Sequence, residues 1–517
     1  MGMKRIFCIL LCALLLCGCA GSPQPIPRPT GDGFFPEDKP SVDNSAEKDQ
    51  DLTLIYYPSY TMNPYECADF TNRALFSLLY QGLFSIDRNY QTQPVLCKSY
   101  SVSSDRKTYT FYLEDATFSD GSAITAQDAV ASLNQAKDST VYGGRFLFIN
   151  RISLTQDGGV EIRLDIPMEN LPLLLDIPIV KESQVALDTP LGTGPYMLDL
   201  NGMRPCLRRT NWWCKAQSDL NIIAPAISLM EATPGKDAAG QICDHFKFDG
   251  LDLVCVNPCS DRYVDYLCDY ELWSMENGNF LYLACSYDSA VMTDSGLRKY
   301  LTYAIDRNLL ATDSQYYRGF AQAASLPASP RFPYYSKALA ENYDYDPEKF
   351  AVAVQDCGVN DYPVKLLVNG QDTRRVRVAY AIAQMLEAGG LNVTVSEKSG
   401  SAYTNAVRSR DYDLYLGQTQ LSPNMDLSPF FYYYGDLSYG GVDNVTAYSL
   451  SKNALANHGN YYTLHANVMD NGLLTPILFQ SYGIYTIRGE VPALNSARDN
   501  VFYYSIGKTM ADALIKS

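Results

Sequence analysis

Residues 364–395 read VKLLVNGQDTRRVRVAYAIAQMLEAGGLNVTV, and the spacing of their apolar side chains decides the fold class. Val364–Val368 is a short apolar run of the kind that forms a buried strand. From Asp372 to Ala388, Val376, Ala379, Ile382, Ala383 and Leu386 recur on one helical face, and Gly389-Gly390 supplies the stop. Leu391–Val395 is strand-like again. Strand, helix and strand in this succession make a β-α-β unit, whose crossover is right-handed and builds parallel sheet. The expected class is α/β, with this half of the chain forming a doubly wound lobe.

The same signals extend in both directions. Downstream, Asp413–Leu416 predicts a strand, and Gln418, Gln420, Asn424 and Asp426 fall on the loop expected after it. That edge of a parallel sheet is where α/β clefts collect ligands, so the four are candidate cleft-lining residues, the alternative being a solvated polar loop. Upstream, Leu297, Leu301, Ala304, Ile305 and Leu309 predict a helix over Asp294–Leu310. Near the start, Asp51–Tyr57 predicts a strand, and Glu66–Tyr80 a helix bearing Leu75, Phe76, Leu78 and Leu79, stopped by Gln81-Gly82. Asn63, just after that first strand, is a further candidate ligand contact. Lys107–Leu113 alternates as an antiparallel strand does, and Thr125-Ala-Gln-Asp128 has the pattern of a capping box. At least two α/β lobes are expected.

With 57 Asp and Glu against 41 Lys and Arg, the 517-residue chain carries a net charge of −16 and no long basic run. Nucleic acid, whose phosphates demand clustered Lys and Arg, is thereby excluded as a partner. There are three His, at 245, 458 and 465, and no G-x-S-x-G, H-E-x-x-H or G-x-x-x-x-G-K-[ST] motif, so no enzyme is indicated. Neither a cofactor nor a metal is expected. Cys255-x3-Cys259 lacks a second ligand pair, and Asn342-x-Asp344-x-Asp346 lacks the Gly and Glu of a calcium loop. Asp346-Pro347 reads instead as an N-cap followed by Pro at the first helical position.

Lys4 and Arg5 precede an apolar stretch from Ile6 to Leu16, too short for a bilayer that needs ~20 residues and ordered as a secretory signal is. Leu16-Cys17-Gly18-Cys19-Ala20-Gly21-Ser22 resembles a bacterial lipobox, with Cys19 the expected lipidation site because Gly18 supplies the small residue before it. Residues 1–18 are then the signal peptide. Residues 19–50, with Pro23, Pro25, Pro27, Pro29, Pro36 and Pro40, form an extended tether. The ten Cys beyond Cys19 can be paired or buried as thiols, and their spacing does not say which. Forty Tyr, many in pairs such as Tyr334-Tyr335 and Tyr461-Tyr462, suit half-buried sheet and flat cleft walls alike.

Several motifs together resemble one family. Asn63-Pro64, Leu79-Tyr80-Gln81-Gly82-Leu83, Pro94-Val95-Leu96 and the run from Phe118 to Val130 (FSDGSAITAQDAV) come first. Gly192-Thr193-Gly194-Pro195-Tyr196, the run from Leu297 to Arg307 (LRKYLTYAIDR) and Tyr345-Asp346-Pro347-Glu348-Lys349 follow in order. The chain is similar to the extracytoplasmic solute-binding proteins of peptide-type ABC importers, solute-binding family 5, from about residue 50 to 517.

The resemblance implies a bilobal clamshell of the large type. Lobe I would comprise 51–66, 188–276 and 481–517, with a subdomain inserted at 67–187, and lobe II would comprise 277–480. The ligand, a peptide or other small molecule, would close the lobes, and ABC permease subunits would receive it. The protein would act as a monomer, lipid-anchored to the outer face of the bacterial cytoplasmic membrane. Trp273, Asn279 and Phe280 flank the implied hinge as candidate ligand contacts, with core packing the alternative for Trp273. One departure stands out: where peptide binders of the family carry an acid for the ligand's amino terminus, this chain has Leu421. Either Asp426 serves instead, or the ligand is not an ordinary free-amino peptide; the family also includes binders of sugars, metal chelates and haem. A sensory lipoprotein on the same fold is the alternative role.

Overall fold

The computed structural model describes residues 52–211, 226–235, 238–248, 250–257, 270–293, 295–432, 435, 437–438 and 444–487. Cys19, the signal peptide, the tether and the tail beyond 487 lie outside the described residues, as do Cys214, Cys259 and Cys268. The first strand, β1 (Thr53–Tyr56), leads to two four-residue helices, α1 (Phe70–Arg73) and α2 (Phe76–Leu79). The single helix expected over 66–80 is therefore broken, although Leu75, Leu78 and Leu79 are buried as its spacing implied. Asn72 accounts for the break. Its buried amide accepts from Tyr57 N and donates to Tyr57 O, both at 2.9 Å, tying α1 to the end of β1. Side chains that bond the backbone in this way compete with helix continuation.

An antiparallel region follows. Strands β2 (Phe84–Ile86) and β3 (Thr92–Pro94) pair as a hairpin. Strands β4 (Cys97–Val102), β5 (Thr108–Leu113), β6 (Ile149–Leu154) and β7 (Val160–Leu164) form a sheet in the order β4-β5-β7-β6. Helix α3 (Ala126–Asp138) lies between β5 and β6 and begins with the expected capping box, Thr125 N donating to Asp128 Oδ2 at 2.8 Å. Strands β8 (Tyr196–Asp199), β9 (Cys206–Arg209) and β10 (Ala226–Glu231) then return to β1, giving a second sheet in the order β1-β10-β9-β8. The Gly192–Tyr196 turn enters this sheet against the carbonyls of α2. A Cβ on Gly192 would sit 2.1 Å from Leu79 O, so glycine is required by close approach and not by a ligand.

After α4 (Ala238–Lys247) and β11 (Leu253–Val256) comes β12 (Tyr270–Cys285), sixteen residues long. The expected helix over 294–310 is again broken, into α5 (Ser295–Arg298), α6 (Leu301–Ala304) and α7 (Arg307–Thr312). Arg307 explains the last interruption. Its buried guanidinium donates to Thr302 O at 3.0 Å and Pro476 O at 2.9 Å, satisfying a carbonyl that the end of α6 leaves open. Asp306 restarts the helix by capping Leu309 N.

The remainder runs through β13 (Ala321–Ala323), α8 (Lys337–Ala340), α9 (Pro347–Cys357), β14 (Pro363–Asn369), α10 (Thr373–Ala388) and β15 (Asn392–Lys398). It continues with α11 (Gly400–Arg408), β16 (Leu414–Gln420), α12 (Ser428–Phe431), α13 (Val445–Ala456), α14 (Tyr461–Asp470) and β17 (Thr475–Ile487). Asp346 caps α9 through Lys349 N, with Pro347 at the first helical position. The β14-α10-β15 unit forms as read, its strands parallel and in register from Pro363/Asn392 to Asn369/Lys398. Its buried helical stripe is Val378, Ala379, Ile382, Ala383 and Leu386, while Val376 is half-exposed at the margin.

The sheet that contains this unit has seven strands in the order β11-β17-β12-β16-β14-β15, with β13 paired to β17. Within this sheet β14, β15 and β16 form the parallel part that the β-α-β unit implied, and the sheet as a whole is mixed. The reason is β12 and β17, a long antiparallel pair that runs the length of the sheet. The limits expected at 276/277 and 480/481 both fall inside these two strands. Along β12, Leu281, Leu283 and Cys285 enter one apolar cluster while Phe280, Tyr282 and Ala284 enter another. Both faces are covered, and each large apolar side chain buried there contributes roughly 1.5–3 kcal/mol.

The described cysteines are mostly buried. Cys67, Cys206, Cys255 and Cys285 are free thiols. Burial pushes Cys67 up to about 11 and Cys285 to about 12, which keeps both protonated and inert.

Candidate ligand-binding site

The irregularity that matters lies inside β12. Glu276 pairs with Ser481 of β17 and Phe280 with Phe479, so four steps on β12 answer two on its partner and two extra residues bulge out. Gly278, at φ +74°, takes the left-handed conformation the bulge requires. The end of β16 clamps it: Gln420 Nε2 donates to Asn277 O at 2.9 Å and Leu421 N to Gly278 O at 3.1 Å. Asn277 is buried, its Oδ1 accepts from Asn279 N, and its Nδ2 has no hydrogen-bond partner among the described residues.

Glu276 is 7% exposed and receives hydroxyl donors from two other parts of the chain. Tyr90, on the turn between β2 and β3, donates to one carboxylate oxygen. Ser329, on the loop after β13, donates to the other at 2.8 Å. From Tyr90 a chain of aromatic contacts continues. Its ring meets Phe332 edge-on at 5.8 Å, Phe332 meets Tyr461 at 5.1 Å, and Tyr334 stacks on Tyr461 at 5.7 Å. The Tyr461 hydroxyl donates to Asn424 O, which brings the cluster to the loop that carries Asp426. There Asp426 Oδ1 accepts from Ser428 N at 2.8 Å, and burial pushes its carboxyl above the usual carboxylate range.

The edge of this cluster is pinned by the antiparallel region. Glu169 N donates to Leu455 O at 2.8 Å, its carboxylate accepts from His458 N at 2.7 Å, and Arg106 donates to Ala456 O at 3.0 Å. The His458 ring lies against Tyr334 at 4.4 Å, and burial lowers its affinity for a proton.

The residues singled out in the sequence divide into three groups. Gln418, Gln420 and Asn279 come together at the bulge, but on strands: Gln420 faces Asn279 across the β16–β12 ladder, and Gln418 accepts from Gln480 at 2.7 Å. The loop expected for Gln418 and Gln420 is strand because β12 is long enough to pair β16 residue by residue from Leu414 to Gln420. Asn424 and Asp426 lie together at the far end of the aromatic cluster, Asn424 accepting from Ser422. The other three are packed elsewhere. Asn63 is fully buried, donating to Val185 O and Leu187 O at 2.8 Å and accepting from Tyr65 N. Trp273 is buried with its indole bonded to Thr486, and Phe280 is stacked between Tyr282 and Phe479.

Leu421 is 2% exposed among apolar side chains that include Met425 and Phe430, so no acid is presented at its position. Glu276, Tyr90 and Ser329 carry no sequence signal that marks them as ligand contacts, and Tyr334 and Tyr461 stand out only as members of Tyr pairs. What the sequence does show at Glu276 is the irregularity: Glu276-Asn277-Gly278-Asn279 is a polar break with a Gly inside an otherwise apolar strand, the pattern of a bulge. Among the described residues no three His, Cys, Asp or Glu are grouped to hold a metal. The arrangement offers carboxylate acceptors, amide groups and aromatic faces, the groups a binding site uses.

The model for bacterial extracellular solute-binding proteins, family 5, matches residues 91–213 and 260–441. The chain belongs to this family. The glutathione-binding protein GsiB of Escherichia coli is 25% identical over 359 residues, 65% of this chain and 67% of that protein. Among solved structures, a putative peptide-binding protein, AppA from Clostridium difficile, aligns with a TM-score of 0.71 at 15% identity, covering 89% of this chain and 99% of that one. The ABC transporter substrate-binding protein CtaP from Listeria monocytogenes aligns at 0.70 with 18% identity, over 89% and 99%. The fold of this family 5 protein is therefore the bilobal periplasmic-binding-protein clamshell, and its role is that of an extracellular solute-binding protein. Among the described residues no helix is long and apolar enough to cross a membrane.

Proposed function

We propose that this family 5 solute-binding protein captures an oligopeptide or peptide-like ligand between its lobes and passes it to membrane permease subunits without chemical change. The junction of Tyr90, Glu276 and Ser329 carries the reading, because it joins three segments far apart in the chain around one buried carboxylate. With lobe I at 51–66, 188–276 and 481–517, the insertion at 67–187 and lobe II at 277–480, β12 and β17 are the crossing strands. Closure then brings Tyr90 and Glu169 of the insertion onto lobe II. Ligand that favours the closed form drives this hinge motion by its differential affinity for the two states. Cys19 carries the lipid and residues 19–50 the tether, so that a monomer is held at the outer membrane face. The glutathione-binding relative supports a short peptide-like ligand.

Leu421 favours a second reading. A buried ammonium left beside Leu would cost several kcal/mol, so a ligand without a free amino terminus, such as an oligosaccharide or a metal chelate, fits that position better. Native mass spectrometry of the purified protein, with extraction of whatever co-purifies, decides between them. A set of short peptides is the expected result, and a single sugar or chelate would replace the peptide reading with the second.

A further inference from the structure

We propose that Arg88 and Arg331, brought together from two distant turns, form the subsite for a carboxylate of the ligand. The inference deepens the function proposed above and rests on it. Arg88 lies on the turn between β2 and β3, which Tyr90 N closes by donating to Asp87 O at 3.0 Å. Arg331 lies on the loop after β13, where its backbone N donates to Ser329 Oγ at 3.1 Å and Phe332 N to Ser329 O at 2.9 Å. Two contacts hold these turns against each other: the Tyr90 ring meets Phe332 edge-on at 5.8 Å, and the hydroxyls of Tyr90 and Ser329 both donate to Glu276. Arg88 and Arg331, close neighbours in sequence of Tyr90 and Phe332, are carried along. Arg88 responds to the approach, since burial first and the Arg331 guanidinium second lower its hold on a proton.

Both side chains are half-buried, and neither guanidinium has an ion-pair or hydrogen-bond partner among the described residues, although the chain carries 57 Asp and Glu. Asp87, the carboxylate that acts on Arg88, is turned to its own backbone, its Oδ1 accepting from Asn89 N at 2.8 Å and Gln91 N at 2.9 Å. Two partly desolvated like charges repel, and a carboxylate between them converts that repulsion into two attractions. Each guanidinium is also a planar fork of donors matched to a carboxylate's paired oxygens. On the lobe limits proposed above, Arg88 belongs to the insertion and Arg331 to lobe II, so the empty pair opposes closure and the occupied pair favours it. That difference is what a ligand needs in order to drive a hinge. The neighbouring bulge adds a donor of the same kind: Asn277 is 1% exposed, and its Nδ2 has no partner among the described residues, so an acceptor on the ligand would satisfy it. Recognition through an acidic group makes no demand on position 421, where this chain has Leu.

The test is calorimetry and thermal melting of the full chain with short peptides that end in a free carboxylate, each paired with its C-terminal amide, and with orthophosphate as a bare anion. The free carboxylate of each pair should bind more than about tenfold more tightly than the amide. In Arg331→Gln and in Arg88→Gln that ratio should fall below about threefold, with the amide's affinity unchanged and the ligand-free melting temperature level or higher. If neither variant folds, salt decides on the wild type: the preference for carboxylate should shrink between roughly 0.05 and 0.5 M sodium chloride, and a salt-independent preference would overturn the subsite. Equal binding of both members of each pair, or equal weakening of both by the substitutions, would overturn it while leaving a peptide-binding protein. Saturation by orthophosphate with no effect on peptide binding would overturn it in favour of a general anion site. Binding of no peptide in either form would overturn it together with the peptide-like reading.

Discussion

The β14-α10-β15 unit and the bulged stretch of β12 belong to one seven-stranded sheet and are built in opposite ways. The first is contiguous in sequence, regular in register and filled with apolar side chains. The second interrupts its ladder, places a Gly at positive φ and draws partners from 186 and 53 residues away, Tyr90 and Ser329. Regular sheet satisfies every backbone group internally and leaves nothing to offer a ligand. The bulge frees side chains to turn toward the junction, which is what makes it the candidate site. The contrast separates a scaffold, where changes cost stability, from a candidate site, where they are expected to alter recognition.

The largest expected effect concerns the site's neighbourhood. His465 on α14 is fully buried, and desolvation lowers its pKa from 6.5 to about 3. Its ordinary value in the unfolded chain means the unfolded state binds the extra proton first. Stability is therefore fully present above about pH 6.5 and falls as pH drops toward about 3, by an amount of order several kcal/mol. Urea titrations of the wild type and His465→Phe across that window check this, the variant showing the flatter profile.

Next in size, Ile382→Ala on α10 should cost about 2–5 kcal/mol in denaturant unfolding and leave ligand affinity unchanged. A change in affinity would break the division between scaffold and site. Gly278→Ala forces an L-residue to φ +74°, at a cost of roughly 1–2 kcal/mol, and should alter affinity more than stability. Calorimetry beside thermal melting tests that ranking. The smallest effect is expected from Glu169→Ala, which removes the acceptor for His458 N and should cost about 0.5–2 kcal/mol. On the lobe limits proposed above, that contact joins the insertion to lobe II, and small-angle scattering of the ligand-free variant should show a larger radius of gyration than the wild type.

Much of the scaffold was legible. The capping box at Thr125, the Asp346-Pro347 start of α9 and the whole β14-α10-β15 unit depend on residues close in sequence, and all formed as read. Two helices were drawn too long, at 66–80 and 294–310. Asn72 and Arg307 interrupt them by bonding to backbone that no local pattern displays. The candidate site was legible only in part. Asn279, Gln418, Gln420, Asn424 and Asp426 lie at the two ends of the aromatic cluster, whereas Asn63, Trp273 and Phe280 serve packing.

By itself the sequence determined the α/β class, the family and the absence of the usual acid at position 421, because periodicity, capping and motif identity are properties of contiguous residues. Only the tertiary structure decided that Glu276 meets Tyr90 and Ser329, and that β12 and β17, bulged between Glu276 and Phe280, both continue past the expected lobe limits. Those facts follow from how strands distant in the chain hydrogen-bond to one another, and pairing of that kind leaves no periodic trace in either partner alone.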